Sequence, residues 1–472
     1  MSRAPQPQFS FADLEILQQG VQLDPLLQTI SDFLTDHEEL VERVRRDLER
    51  GLKNPATGRS GLTAPQVLRS LALQRVKNWD LRELRERIAD GYTLRSFTHF
   101  FAEAVPKHDA FHRSFNRLTP RTLEAINEGL IRAAVALGLE DGQKLRVDTT
   151  VVETDIHHPT DSRLLWDIVR VITRLLGRVN TWLPRRVGGF TNRTRSARRR
   201  MQEIQRMTPQ QRNRQQVFKY QELIGITRQV VAQARQVLEK TRKVRGLDWR
   251  EETALRALRI EIEHYCQLGG QVIDQARRRV LEGEQVPSEQ KVYSIFEPHT
   301  DLIKRGKVDQ PVEFGHKVFL AESAGGLITQ YRVLEGNPAD EDHVKPSLQR
   351  HRKTFGHAPD LYSSDRGFYS ERNIEISQQV GVGLASIPQR GGKKTAERAA
   401  QEKSPAFRKG QRFRAGIEGR ISVLFRGRGM KRCLAEGRQH FELLVGAAVL
   451  ANNLLVIAQR LIKNQQRRHR AA

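Results

Sequence analysis

The sequence predicts an α/β protein whose mixed five-stranded sheet, with flanking helices, follows an all-helical region and is interrupted after its first strand by a basic helical insertion. Three observations predict this fold class. Apolar residues recur at helical spacing up to about Leu139, a β-branched run follows, and strand-like and helix-like segments then alternate beyond a long basic stretch. With roughly 100 to 200 residues per domain, the 472 residues leave room for several units.

Residues 1–139 are predicted to be helical throughout. Apolar residues fall at threes and fours in LLQTISDFL and VLRSLALQRV. Pro65 stands where the first turn of a helix tolerates proline, and Thr63 just before it is a candidate N-cap. The region therefore contains several helices and no strand.

The first strand is predicted in KLRVDTTVVETDI, where valines and threonines form a β-branched run of strand length. Residues 162–290 form the predicted helical insertion. They contain 27 Lys and Arg against 13 Asp and Glu, a net charge of +14. About a quarter of the chain thus carries over half of its net charge of +25.

The remaining strands are predicted in residues 291–457, which with residues 140–161 make up the sheet domain. A hairpin is expected from VEFGHKVFLAES and LITQYRVLEG, joined at Gly325 and Gly326. A helix near 342–353, the strand APDLYSS, a helix near 370–380 and the strand VGLASIP follow. The segment QRGGKKTAERAAQEKSP is predicted to be a loop before a helix starting near Phe413. An apolar helix and a basic tail, residues 458–472, complete the prediction.

Charge and composition narrow the classes of function. The net charge of +25 favours a polyanion, and nucleic acid first, as the partner. Two cysteines without metal-ligand spacing argue against zinc and iron–sulfur sites and against a disulfide framework. The apolar run LLVGAAVL is too short to span a bilayer, and the start has no apolar signal segment, so a cytoplasmic protein with no membrane partner is expected.

Three acidic residues are candidates for metal-dependent phosphodiester chemistry, which needs carboxylate oxygens to hold hard cations such as Mg²⁺. Asp148 lies in the first predicted strand, and Asp365 directly follows the fourth, beside Gly367. Glu418 lies on the helix before the apolar one, as the sole acid among seven basic residues from Arg412 to Arg432. We expect their carboxylates to converge.

Each candidate also has a structural interpretation. Asp148 could end a strand in a turn, Asp365 could form an Asx turn, and Glu418 could only pair with Arg414 one helical turn earlier. The metal-ligand role is favoured for all three. A cluster of acids and histidines just after the strand could replace Asp148 as the ligand: Asp155, His157, His158 and Asp161. His316 and Lys317, on the second predicted strand, could approach the site or face solvent. Trp166 is expected in the core. For Asp161, together with Ser162, helix capping is favoured.

The sequence resembles the DDE transposases of bacterial insertion sequences, specifically the ISNCY group. The resemblance rests on VDTTVVETDIHHPTDSRLLWD, SIFEPHTDLIKRG with EFGHKVFLAES, LYSSDRGFYSERN and AGIEGRISVLFRGRGMKRC, and it covers about 60–456. It implies an RNase H-like sheet with an acidic triad on its first strand, beside its fourth strand and on a following helix. Asp148, Asp365 and Glu418 occupy those places and would hold two Mg²⁺ ions, with Mn²⁺ as the alternative.

The last helix departs from a signature that many related transposases carry, with Tyr, Arg, Glu and Lys at fixed spacing. Arg414 and Glu418 keep the Arg and Glu, but Gln411 stands at the Tyr position and Phe425 at the Lys position. Arg426 or Arg428, close to that position, is expected to make the phosphate contact that the lysine makes in related transposases. The predicted DNA-binding residues on and after this helix are Arg414, Arg420, Arg426, Arg428, Lys431 and Arg432.

The expected function is a transposase that binds the terminal inverted repeats of its element through residues 1–139 and the insertion. It would hydrolyse a strand at each end and join the freed 3′-hydroxyl to target DNA. The expected partners are double-stranded DNA, as element ends and target, and further copies of the chain in a dimer or higher oligomer. Two alternatives remain: an RNase H-like nuclease without strand transfer, and a catalytically silent DNA-binding protein derived from a transposase.

Overall fold

The computed structural model describes residues 22–54, 61–183, 187–304 and 312–471, which divide into two compact units. The first unit comprises the chain up to Glu153 together with His316 and all that follows; the second is Thr154–Gly315. The predicted insertion, residues 162–290, lies within the second unit, which starts earlier and ends later. The first 21 residues of the predicted N-terminal region lie outside the described residues.

Seven helices precede the sheet in the described residues of the first unit. Their bounds are α1 Pro25–Asp36, α2 Glu38–Glu49, α3 Ala64–Lys77, α4 Leu81–Asp90, α5 Tyr92–Phe97, α6 His108–Phe115 and α7 Pro120–Ala136. The predicted start of α3 is confirmed: Thr63 and Gln66 cap each other's backbone N–H groups, and Pro65 lies in the first turn. Within the described residues the region before residue 140 has helices and no strand, as predicted.

The sheet is mixed, as predicted, but in the described residues it has seven strands rather than five. They are β1 Lys144–Thr154, β2 Asp301–Lys304, β3 Val312–Ser323, β4 Ile328–Val333, β5 Leu361–Ser363, β6 Leu384–Ser386 and β7 Arg432–Cys433. The order is β2-β3-β1-β5-β6, with β4 paired to β3 and β7 to β1. The two unpredicted strands, β2 and β7, are four and two residues long, which is too short for a periodic pattern to mark them.

The predicted hairpin is confirmed. Strands β3 and β4 pair antiparallel, with a register shift at Ala321 and Glu322. In the turn between them, Gly326 has a φ of +83°, in the left-handed region that favours glycine. Strands β5 and β6 pair in parallel, and β5 pairs in parallel with β1. The carboxyl ends of β5 and β6 therefore lie at one edge of the sheet, beside the middle of the longer strand β1.

Five helices accompany the sheet: α12 Val344–Phe355, α13 Glu371–Val380, α14 Ala396–Lys403, α15 Pro405–Gly427 and α16 Arg438–Ala471. Helices α8 Asp161–Trp182, α9 Thr194–Gln205, α10 Pro209–Arg242 and α11 Trp249–Ala276 belong to the second unit. The prediction of a loop up to Phe413 is wrong, because α14 lies inside that segment and α15 begins at Pro405. Thr395 and Ser404 cap these two helices, and both caps were overlooked in a segment rich in glycine and lysine. The predicted tail, residues 458–472, continues α16 up to Ala471.

Helix α16 is the central helix of the first unit and contributes to two apolar clusters. One side packs on the N-terminal helices and the other on the sheet. Buried Asn453 joins three elements, since its amide contacts Asn127 of α7 and the backbone of Ile328 in β4. Among the described residues this one helix is long and apolar enough to cross a membrane, but 89% of its most apolar stretch is buried, as expected for the core helix of a soluble protein.

Where the second unit is described, its four long helices α8 to α11 surround an apolar core of their own. Thr160, not Asp161 or Ser162, caps α8. Asp161 is instead buried and accepts hydrogen bonds from Gln275 (2.7 Å) and Arg279 (2.7 Å). Trp166 packs against the core of this unit, as predicted.

Candidate functional site

Asp148 and Asp365 lie at the same edge of the sheet because β1 and β5 are adjacent and parallel. Arg146 is in register with Ser363, the last residue of β5, so Asp148, two residues further along β1, lies beside Asp365, which follows β5 by two residues. Asp148 is buried, whereas the side chain of Asp365 is 39% exposed. The parallel pairing thus brings together two acids that are 217 positions apart in the chain.

Helix α15 crosses this edge at close range. A Cβ atom at Gly410 would lie 2.7 Å from the Ser386 side chain of β6, so only glycine permits this approach. The next residue, Gln411, donates through Nε2 to the carbonyl oxygens of Ser386 (2.7 Å) and Ser364 (3.3 Å). The residue at the expected Tyr position therefore attaches α15 to the ends of two strands.

A buried ion cluster holds the middle of α15 against the sheet. Glu322 of β3 is fully buried and pairs with Arg146 of β1 (2.7 Å) and Arg420 of α15 (2.8 Å). Arg146 also donates to the backbone oxygen of Phe413, at 2.8 Å. Because a lone buried carboxylate would be costly, these contacts constrain how α15 lies over β1 and β3.

Arg414 of α15 forms ion pairs with all three predicted carboxylates. Its Nη2 lies 2.9 Å from Asp148 Oδ2 and 3.8 Å from Asp365 Oδ2, and its Nη1 lies 2.9 Å from Glu418 Oε1. The side chain of Arg414 is 18% exposed and that of Glu418 is 67% exposed. The structure therefore brings Asp148, Asp365 and Glu418 together around one cation of the chain itself.

The electrostatics of Asp148 reflect this crowding. Burial raises the pKa of the Asp148 carboxyl to about 6; nearby Arg414 opposes that rise, and the charges of Asp365 and Asp340 add to it. Its Oδ1 accepts a hydrogen bond from the backbone N–H of Thr149 at 2.8 Å. At neutral pH the carboxyl is ionised, as a ligand for a hard cation must be.

The structural interpretations of Asp365 and Glu418 are both observed, and neither excludes a role in the site. Asp365 Oδ1 accepts from the backbone N–H of Gly367 at 2.8 Å, which is the Asx turn, while its Oδ2 faces Arg414. Glu418 pairs with Arg414 one turn earlier, and the same guanidinium contacts Asp148. One oxygen of each aspartate is thus held by its own backbone and the other points to Arg414.

Carboxylate oxygens at one strand edge are a suitable donor set for Mg²⁺ or Mn²⁺. Asp148, Asp365 and Glu418 are the residues that could hold such ions. In the described parts of the chain, no group of three or more His, Cys, Asp or Glu side chains lies close enough to hold a metal ion as arranged. The cation that all three carboxylates approach in this arrangement is the guanidinium of Arg414, which lies between them.

A fourth acid, Asp340, was not predicted. Its Oδ1 accepts from Thr149 Oγ (2.8 Å) and pairs with Lys317 Nζ (2.7 Å), and a Cβ atom at Gly367 would lie 3.0 Å from its Oδ2. The same Cβ atom would lie 3.0 Å from Asp365 Oδ1, so Asp340 lies beside the site, and its charge contributes to the raised pKa of the Asp148 carboxyl. The acidic run in PADEDH was the signal that could have indicated it.

His316 and Lys317, on the second predicted strand, which is β3 in the structure, have different surroundings. Lys317 pairs with Asp340 next to the site. His316 is buried, with its Nδ1 2.9 Å from Arg438 and its ring against Phe441. The alternative ligands to Asp148, which are Asp155, His157, His158 and Asp161, belong to the second unit.

The predicted DNA-binding residues fall into two groups. Arg426 and Lys431 are exposed to solvent. The other four take part in contacts within the protein: Arg414 and Arg420 as described, Arg428 with the backbone of Val76 (2.5 Å), and Arg432 with Glu153 (2.6 Å). Phe425, at the expected Lys position, packs against the apolar cluster under the sheet. Arg426 is therefore better placed than Arg428 to contact a phosphate.

Comparison of the chain with protein-family models, curated proteins and solved structures gave no significant match.

Proposed function

We propose that the chain is a DNA transposase of the DDE class, with an RNase H-like catalytic sheet, as its resemblance to the ISNCY group implies. One observation carries the proposal: Asp148, Asp365 and Glu418, chosen by their positions in the sequence, meet around Arg414 at one edge of the sheet. The three acids come from the first strand, the end of the fourth predicted strand and the following helix. A structural role for each acid separately gives no reason for all three to meet.

The chemistry proposed is hydrolysis of a phosphodiester followed by attack of a 3′-hydroxyl on target DNA. Two divalent cations held by the triad would supply an activated oxygen nucleophile and stabilise the leaving oxygen. The chain's own residues hold the geometry. Backbone N–H groups of Thr149 and Gly367 orient the two aspartates, and the Glu322 cluster constrains the helix that carries Glu418.

Charge supports DNA as the partner. The net charge is +25, and the second unit contains many exposed arginines on its helices, as at Arg228 and Arg235 of α10. Phosphate contacts from this unit and from the N-terminal helices would hold the element ends. Assembly into a dimer or larger complex on DNA and a cytoplasmic, nucleoid-associated location are further parts of the proposal.

The test uses the triad and a matched acid. Glu418→Gln keeps the shape of the side chain and removes its charge, so cleavage and joining should both fall by at least about a hundredfold, equivalent to roughly 3 kcal/mol of barrier. Glu397→Gln, an exposed acid on α14, should keep both activities. Both reactions are measured on end DNA, identified as inverted repeats by sequencing the flanks of the coding region.

Asp148→Asn and Asp365→Asn should resemble Glu418→Gln, and combined variants should lose little more, because the three residues act as a unit. DNA affinity, measured by gel shift, should survive in all of them. Full activity in Glu418→Gln would refute the triad. Cleavage without joining in the wild type would favour the nuclease alternative, and DNA binding without either activity would favour the silent DNA-binding protein.

A further inference from the structure

Arg414 stands where a cation of the site would be expected to stand. Its two Nη atoms reach one oxygen each of Asp148 and Glu418 at 2.9 Å, and Asp365 lies next to it. We propose that Arg414 competes with divalent cations for these carboxylates and leaves them for a DNA phosphate, so that metal loading is coupled to DNA binding. This inference rests on the proposed function and deepens it.

Competition follows from which oxygens are available. Thr149 N–H donates to Asp148 Oδ1 and Gly367 N–H donates to Asp365 Oδ1, both at 2.8 Å. The opposite oxygens, both Oδ2, are those that face Arg414. A cation binding the aspartates from the side away from their backbone would therefore meet the guanidinium first.

The guanidinium cannot leave by losing its proton, because arginine stays charged at any working pH. It can leave only by moving to another anion. Two features make such a move feasible: Glu418 is 67% exposed, so the cluster opens to solvent on that side, and Arg414 Nε is buried without a hydrogen-bond partner. Arg414 is therefore incompletely satisfied where it stands.

A phosphodiester approaching the open side would supply the new anion, and arginine matches phosphate geometry well. Once Arg414 contacts phosphate, the carboxylates carry uncompensated negative charge and should bind a divalent cation more tightly. By linkage, bound metal should then strengthen DNA binding through the same residue by the same factor. In the absence of DNA, Arg414 would keep the site weakly loaded.

The test measures Mn²⁺ binding to the full chain, stripped with EDTA, from the EPR signal of free Mn²⁺ at about pH 8, where the Asp148 carboxyl is ionised. Arg414→Gln is compared with Arg412→Gln, an exposed arginine on the same helix. Without DNA, we expect Arg414→Gln to bind Mn²⁺ about tenfold more tightly than wild type, within the usual range of coupling between sites. Arg412→Gln should match wild type.

A short duplex of random sequence supplies the second arm, corrected for Mn²⁺ bound by the duplex alone. The duplex should tighten Mn²⁺ binding to wild type and change Arg414→Gln little. Melting curves check that the variants fold. If Arg414→Gln does not fold, Arg414→Lys replaces it and should also bind Mn²⁺ more tightly than wild type, because a single ammonium cannot bridge Asp148 and Glu418 as the planar fork does.

The outcomes separate the two proposals. If Asp148→Asn loses Mn²⁺ binding but removal of the guanidinium leaves the affinity unchanged, the metal site stands and the competition is refuted. If the duplex tightens Mn²⁺ binding equally in wild type and the Arg414 variant, coupling through Arg414 is refuted. If wild type binds no more Mn²⁺ than Asp148→Asn, with or without duplex, the metal site fails and the inference fails with it.

Discussion

The surroundings of Asp148 disfavour the charged form of its carboxyl group. It is a buried carboxyl with Asp365 and Asp340 nearby, and it depends on Arg414 and a backbone N–H for compensation. Such a group favours its neutral form, and keeping it charged at neutral pH costs the folded protein stability. Conformational stability and the charge that a metal ligand needs are therefore opposed at this position.

Asp148→Asn should change how the stability of the metal-free protein depends on pH. The folded-state pKa of about 6 lies above the ordinary value of 3.8, so the folded state binds this proton more tightly. The stability from that proton is present below about pH 4 and is lost as pH rises through 6. Relative to wild type, the variant should gain about 2.4 kcal/mol between pH 4 and pH 7, measured by urea unfolding in EDTA. A difference that does not vary with pH would contradict this account.

At the scale of elements, the position of α15 decides whether Glu418 and Arg414 reach the strand edge. At two glycines of this helix, neighbouring side chains occupy the space that a Cβ atom would need. Gly410 meets Ser386, and a Cβ atom at Gly416 would lie 2.1 Å from Nη1 of Arg146. Because Arg146 is tied to buried Glu322 and to the backbone of Phe413, its guanidinium has little freedom to move aside. The close approach of helix and sheet depends on these small residues.

Gly416→Ala and Gly419→Ala form a matched pair on α15. Both should gain helix propensity, worth up to about 1 kcal/mol. Gly419 has no neighbour within 4 Å of an added Cβ atom, so its variant should be more stable than wild type and keep cleavage activity. Gly416→Ala should gain no net stability, and its cleavage rate should fall about tenfold as Arg146 and the helix shift. Equal stabilisation of both variants in thermal melts would show that the contact at Gly416 does not matter.

For the molecule as a whole, charge is the dominant property. A net charge of +25 without a polyanion implies self-repulsion, and much of it is carried by the helices of the second unit. Arg228 and Arg235 lie two turns apart on one face of α10 and are exposed. Such a row is suited to follow a phosphate backbone.

Arg228→Gln with Arg235→Gln should weaken DNA binding and lower the slope of log K against log salt by about 1 to 2, since each phosphate contact contributes roughly 0.9. Arg352→Gln with Lys353→Gln, exposed on α12, removes the same charge and should leave the slope unchanged. Binding is measured by fluorescence anisotropy over a salt series. Equal slopes for wild type and the α10 variant would mean that this face does not contact DNA.

The amino-acid sequence by itself determined the features that depend on neighbouring residues. The capped start of α3 at Thr63, the glycine turn between β3 and β4 and the β-branched strand around Asp148 follow from local propensity and periodicity. The three acids could also be chosen from their positions relative to these elements. Helix α14 was missed because its cap lies in a segment that reads as a loop.

The tertiary structure alone decided what surrounds those acids. The parallel register of β1 and β5 sets Asp148 opposite Asp365, and the contact of Gly410 with Ser386 lets α15 deliver Arg414 between them. The hydrogen bond from Thr149 to Asp340 is equally non-local. No periodic pattern encodes these contacts, because they join residues far apart in the chain and depend on strand register and on how closely a helix can pack on a sheet.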